Sequence, residues 1–331
     1  MTQETQIVHF DQVKRELALA TSIDEVKQIR DKAEALRQYV RQQGATLEIQ
    51  NYAAEIKIRA ERRAGDMLKE MVRQKPGEYQ KLHDETFVPK PSLSDLGITP
   101  IQSHRWQLET ELAEVTFDEW VTLIKSENEE LTSKGLRQLI LEQKRKLCAD
   151  DNVNLPKDKE YHTIVIDPPW PMSKIIRDTV PTQDKMDYTP MTIEGIQAID
   201  IPSITPKDGT HLYLWTTHKY LPTAFSILDD WDFKYIFTMV WHKSGGFQPF
   251  NLPQYNCEFV LFGRKEGLQF DTTTNFFTCF NGKRREHSRK PTEFYDIVRR
   301  VSPAPRADIF GRGTIKGFDS IGYEAGKFDA Q

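Results

Sequence analysis

Three cysteines in 331 residues, at positions 148, 257 and 279, are too few and too scattered for a disulfide framework or a zinc site. No run approaches the roughly 18 apolar residues that span a bilayer, so a membrane-spanning helix is excluded. The opening residues, MTQETQIVHFDQVKRE, hold no basic stretch followed by an apolar core, and no secretory signal is expected. A large charge of one sign is also missing: a net charge of -4 excludes a simple polycation, although a basic face can sit within an acidic total. The histidines at 211, 218, 242 and 287 show no metal-ligand spacing. The expected setting is a reducing cytoplasm, with no membrane partner and no metal.

What is present is the composition of a globular chain, 38% hydrophobic and 28% charged, with length for about two domains of roughly 150 residues. The first part reads as helical. Ser22 and Glu25 form a capping box ahead of Ile23, Val26, Ile29, Leu36 and Val40, spaced by threes and fours. A second helix is predicted from about Leu47 to Val72, containing Arg59, Arg62 and Arg63 and ended by Pro76 and Gly77. These helices predict a packed or partner-binding bundle.

The stretch SLSDLGITPIQSHRWQLETEL, residues 92 to 112, predicts a helix-turn-helix. Ser94 to Leu96 close a short helix, Gly97 turns the chain, and Thr99 caps a second helix with Pro100 at its first position. On that helix Ile101, Trp106 and Leu108 are expected to face the core. Gln102, Ser103, His104 and Arg105 are expected to project outward, as a recognition helix presents side chains to bases. The alternative is a helical hairpin that binds nothing. Thr116 and Thr132 are predicted to cap two further helices, ending near Lys146.

The polar stretch 149–160 marks a boundary, giving a helical domain at 1–148 and a second domain at 149–331. Beyond it HTIVI, THLYLW, YIFTMVWH, CEFVLFG, NFFTCF and RADIFG read as strands, and LPTAFSILDDW and TEFYDIVRRVS as helices. This alternation predicts an α/β fold, a mostly parallel Rossmann-like sheet with helices on both faces.

The first strand ends in the tetrapeptide DPPW, residues 167 to 170. In an open α/β sheet ligands bind beyond the carboxyl ends of the strands, where Asp167 falls. Pro168 and Pro169 stiffen the loop and remove two backbone donors, leaving carbonyls to accept. Two acceptors beside the flat ring of Trp170 suit a planar base bearing an amino group, with Trp170 stacking on it.

Residues 160 to 326 resemble the MT-A70 family of S-adenosylmethionine-dependent adenine N6-methyltransferases. The likeness runs in order through DPPW, DYTPMTIEGIQAIDIP, HLYLWTTHKYLPTAFSILDDWDFKYIFTMVWHK, CEFVLFGRKEG, HSRKPTEFYDIVRRVSP and RADIFGRG followed by GFDSIGYE. The catalytic tetrapeptide precedes the cofactor half, as in the permuted β-type amino-methyltransferases. The resemblance implies S-adenosyl-L-methionine as cofactor, Asp167 and the Pro168 carbonyl on the adenine amine, Pro169 shaping the loop and Trp170 stacking. It implies Tyr188 in a loop closing over the site, Lys290 on the methionine carboxylate, and Asp308, Phe310 and Arg312 around ribose and carboxylate. Gly322 and Glu324 match a further cofactor contact, where Tyr323 replaces the usual asparagine, and Asn152 lies near where the family meets the cofactor's adenine.

The basic run KRREHSRK, with Lys283, Arg284 and Arg285, is expected to line a phosphate path, or else to be a solvated loop. The helix-turn-helix signal favours adenine N6 methylation of DNA. RNA methylation, a non-catalytic scaffold subunit and cytosine N4 methylation are the alternatives, the last disfavoured by Asp167 and Trp170. The expected partner is nucleic acid, with a homodimer or a second methyltransferase-like subunit as further expectations.

Overall fold

The computed structural model describes residues 12–71, 92–147, 153–171, 190–248, 251, 253–282 and 290–322. The chain divides into two compact units, Met1–Glu142 and Gln143–Gln331.

The first unit is built on helices α1 (Ile23–Gln42), α2 (Leu47–Glu70), α3 (Pro100–Glu109), α4 (Glu114–Ser126) and the greater part of α5 (Ser133–Leu147), whose last turn begins the second unit. The predicted capping box opens α1: Ser22 Oγ accepts from the Glu25 amide at 3.3 Å, and the Glu25 carboxylate accepts from the Ser22 amide at 3.2 Å. Val26, Ile29, Ala33 and Val40 of α1 pack with Ile49, Ala53, Ile56 and Ala60 of α2. The arginines inside α2 serve this unit. Arg62 is buried and donates to the carbonyls of Glu109 and Leu112, and Arg59 pairs with Glu55, Glu114 and Asp118. Thr116 lies within the first turn of α4, which starts after Ala113, so it is not the predicted cap. Thr132 does cap, accepting from the Gly135 amide at 3.0 Å.

The predicted helix-turn-helix takes a reduced form. Ser92 and Asp95 bond reciprocally around a single turn, and Ile98 N–H reaches Leu93 C=O while Gly97 N–H reaches Ser94 C=O. This double closure with Gly97 at φ +58° is how a helix ordinarily stops. Lys27 of α1 donates to the carbonyls of Leu96 and Gly97, both at 2.9 Å. Thr99 then caps α3 with Gln102 as its capping-box partner. The outward face differs from expectation: Ser103 is buried with its hydroxyl accepting from Gln107, whereas Ile101 is exposed. The cause is Gly65 on α2. A Cβ there would stand 2.1 Å from the Trp106 carbonyl oxygen, so the two helix backbones meet directly and set the rotation of α3.

The second unit holds β1 (Thr163–Ile166), α6 (Ile193–Gln197), a 3-10 turn (Ile201–Ile204), β2 (Thr210–Thr216), α7 (Leu221–Asp230), β3 (Lys234–Phe247), β4 (Tyr255–Lys265), β5 (Cys279–Asn281), α8 (Thr292–Val301), β6 (Arg306–Ile309) and β7 (Asp319–Ile321). They form one seven-stranded sheet in the order β5-β3-β4-β2-β1-β6-β7. β1 runs parallel to β2 and β6, with Ile164 opposite Leu212 and Ala307. The sheet is mixed, because β4 is antiparallel to both β2 and β3. A short connection between β3 and β4 permits only the antiparallel hairpin, since parallel neighbours need a long crossover. Alternation divides the core. Ile164, Ile166, Leu212 and Leu214 pack with Ala224, Ile227 and Leu228 of α7 on one face. Val165, Tyr213 and Trp215 pack with Phe294, Tyr295 and Val298 of α8 on the other. Helices on both faces of a Rossmann-like sheet are as predicted. Among the described residues no helix is long and apolar enough to cross a membrane.

Candidate active site

β1 carries its apolar run to the carboxyl edge of the sheet, and the Asp167 amide extends the β1–β6 ladder by donating to Ile309 C=O at 3.2 Å. That bond fixes where the Asp167 carboxylate begins. Lys290, just before α8, brings its ammonium to 3.1 Å from Asp167 Oδ2 and 2.9 Å from Glu258 Oε2 of β4. The same ammonium lies 4.6 Å from the centre of the Trp215 ring, and Lys243 of β3 pairs with the other oxygen of Glu258. Burial and the charge of Glu258 raise the Asp167 pKa above its ordinary value, against the opposing pull of Lys290. Glu258 goes the other way: burial would raise it, but the ammoniums of Lys290 and Lys243 bring it down to about 2. Burial would lower Lys290, but Asp167 and Glu258 hold it above the usual lysine range.

The rest of the tetrapeptide is more occupied than the sequence implies. The Pro168 carbonyl accepts from the Trp170 amide at 2.8 Å and the Pro169 carbonyl from the Met191 amide at 2.9 Å. Neither is free, although a carbonyl oxygen has a second lone pair to offer. Trp170 is 4% exposed, stacks on Tyr220 with ring centres 5.0 Å apart, and donates through Nε1 to Trp215 C=O at 3.1 Å. It is a core buttress of the loop and presents no free face as a platform for a base.

Asp308, at the end of β6, is 1% exposed. Its Oδ2 accepts from the Tyr295 hydroxyl at 3.0 Å, and burial raises its pKa to about 7. A Cβ on Gly311 would stand 2.0 Å from Oδ2, so only glycine lets the chain curl over this carboxyl group. Phe310 takes φ +66°, an uncommon conformation for an aromatic residue, and its amide donates to Ile321 C=O at 2.7 Å. Gly322, at φ +136°, packs on the Phe310 backbone. Arg312 is buried and acts electrostatically on Asp167.

Asp167, Lys290, Asp308, Phe310 and Arg312 thus gather at one edge of the sheet. Gln102, Ser103, His104 and Arg105 belong to the first unit; Gln102 is engaged in its capping box, with its side-chain oxygen 2.9 Å from the Thr99 amide, and His104 and Arg105 are half-buried. Asn152, Tyr188, Lys283, Arg284, Arg285 and Glu324 lie outside the described residues. Sequence reasoning passed over Glu258, Lys243 and Tyr295. Glu258 carried one signal, an acid alone in the apolar run CEFVLFG.

The profile of the family described as MT-A70 matches residues 161–324. Residues 161–324 thus form an MT-A70 methyltransferase region. The chain is similar to the type II methyltransferase M.MunI of a Mycoplasma species, 27% identical over 188 residues, which is 51% of this chain and 79% of that protein. It is also similar to a putative N(6)-adenosine-methyltransferase MT-A70-like protein of Medicago truncatula, 24% identical over 49% of this chain. A third likeness is to the human N(6)-adenosine-methyltransferase catalytic subunit METTL3, 21% identical over 46% of this chain. The match covers 26% of the length of each of the last two proteins.

MT-A70 methyltransferases use S-adenosylmethionine, and the residues present fit it. Asp308 Oδ1 is buried without a hydrogen-bond partner among the described residues. Buried acceptors are rarely left so, and a ribose hydroxyl is a donor of the right kind. The Lys290 ammonium suits the methionine carboxylate.

Proposed function

We propose that this chain methylates the exocyclic N6 of adenine in DNA, with the helical unit helping to hold or select the nucleic acid. The observation that carries the reading is Asp167, an acceptor of raised pKa at the carboxyl end of β1, beside the Lys290 ammonium and at the same edge as the orphan oxygen of Asp308. Asp167 accepts one hydrogen of the amine, and the second lone pair of the Pro168 carbonyl accepts the other. Held this way, the nitrogen keeps its own lone pair out of the ring and available for in-line attack. When bound, S-adenosylmethionine supplies an electrophilic sulfonium methyl group. Because burial already favours its protonated form, Asp167 is suited to take the proton that the amine loses. Lys290 holds a carboxylate and Asp308 a hydroxyl of the cofactor, so these residues bind and orient.

Two points support DNA over RNA. The sequence of residues 92–112 carries the signal of a helix-turn-helix, of which α3 would be the second helix, and the likeness to the type II methyltransferase is stronger than that to proteins named for adenosine, a ribonucleoside. One relative is named a catalytic subunit, and we extend to this chain the expectation of a homodimer or a second methyltransferase-like subunit.

The test is radiolabelled methyl transfer from S-adenosylmethionine to unmethylated duplex DNA, single-stranded DNA and RNA in parallel, with Asp167→Ala as control and the labelled nucleoside identified. N6-methyladenine in DNA, absent with the variant, is the expected result. Label in RNA alone overturns the substrate. Cofactor binding without transfer to any of the three makes the chain a non-catalytic subunit.

A further inference from the structure

Lys290 is asked to do two things that compete. On the reading above, Asp167 accepts from the adenine amine and Lys290 holds the methionine carboxylate. Yet the ammonium already rests 3.1 Å from Asp167 Oδ2, with 12% of its side chain exposed, and an acceptor covered by a cation has less to offer an incoming amine. Its second partner, Glu258, lies at 2.9 Å and is itself balanced by Lys243. The groups form a line across three strands and the start of α8: Lys243, Glu258, Lys290, Asp167.

We propose that Lys290 is shared in turn between Asp167 and the cofactor carboxylate, and that Glu258 is the positioning residue that keeps hold of it during the exchange. In the cofactor-free protein Lys290 covers Asp167. When the methionine carboxylate engages the ammonium, Lys290 lets go of Asp167 and remains on Glu258, so the adenine acceptor is uncovered only when the cofactor is in place. Glu258 is required because an ammonium this enclosed cannot give up a partner cheaply unless another stays. Lys243 keeps Glu258 from becoming a second surplus anion. The arrangement makes cofactor and adenine bind cooperatively, and it rests on the proposed roles of Asp167 and Lys290.

The experiment measures affinity of the full chain for single-stranded oligonucleotides, in both DNA and RNA form, that carry one adenine or, in its place, purine, which lacks the amine. S-Adenosylhomocysteine serves as the cofactor probe, because it carries the methionine carboxylate and no methyl to transfer. The wild type is expected to prefer adenine over purine about tenfold when the probe is present, within the usual range for coupled sites, and not when it is absent. Lys290→Met should prefer adenine in both conditions, because nothing covers Asp167. Glu258→Gln, checked for unchanged circular dichroism, should prefer it in neither, because Lys290 stays on Asp167. Opposite effects from two members of one ion pair are not what a merely structural network produces. Equal preference in the wild type with and without the probe overturns the exchange, as does the same loss in both variants. No preference for adenine in any protein or condition instead removes the reading of Asp167 on which the inference stands.

Discussion

The indole of Trp170 lies flat against the ring of Tyr220, 5.0 Å between centres and 11° between planes. The Tyr220 hydroxyl in turn donates to the Pro171 carbonyl, so the ring that supports the tetrapeptide also ties down the residue after it. The aromatic in DPPW therefore anchors the loop that aims Asp167.

Trp170→Ala should cost about 3 to 5 kcal/mol of stability, the usual range for removing a large buried aromatic. Urea unfolding of the second unit, followed by circular dichroism, checks this. Unchanged stability together with weakened nucleic-acid binding would return Trp170 to the role of a base platform.

Gly65→Ala places a methyl group where the Trp106 carbonyl already stands, with no flexible side-chain end to yield. The helices α2 and α3 must then separate, and a loss of about 1 to 3 kcal/mol is expected from overpacking. Denaturation of the first unit measures it, and a neutral result would mean that the crossing relaxes without strain.

Glu109 on α3 is fully buried, and burial followed by the charge of Glu61 raises its pKa to about 8 despite Arg137 at 2.6 Å and the more distant Lys57. The folded state therefore holds a proton that the unfolded chain releases near 4.5. The stability this contributes is complete below that pH and is lost as pH rises through about 8. Melting temperatures across this window should fall with pH in the wild type and fall less in Glu109→Gln. Asp308 is raised to about 7 and tilts stability in the same direction from the other unit, so the difference between variant and wild type is the quantity to read. Parallel curves would show that Glu109 is ionised throughout.

Gly311→Ala puts a methyl group against the Asp308 carboxyl and should displace it from Tyr295. The expected outcome is a loss of at least tenfold in S-adenosylhomocysteine affinity by calorimetry, with the sheet intact by circular dichroism. Unaltered affinity would take Asp308 out of the cofactor site.

Several features were legible because their chemistry closes within a few residues. Ser22 with Glu25, Thr99 with Gln102 and the glycine at 97 each complete a local hydrogen-bonded motif. The strand ending at Asp167 was legible because its four residues are all buried and apolar or β-branched, and Asp167 is where that pattern stops. Other readings failed where the deciding partner is remote. Ser103 and Ile101 exchanged places because Gly65, on another helix, sets how α3 is rotated. β7 escaped notice because DSI is three half-buried residues at an edge, too short to alternate.

The sequence by itself determined the class of fold, the resemblance of its second half to the MT-A70 family and the place of Asp167 at the end of a strand, since periodicity, capping and a rigid tetrapeptide are properties of neighbours along the chain. Only the tertiary structure decided what those residues touch. Lys290 meets Glu258 across 32 positions and Trp170 meets Tyr220 across 50, and no local pattern specifies pairs so far apart. They are brought together by the order of strands in the sheet and the twofold alternation of side chains along each strand, which place distant residues at one edge and on one face.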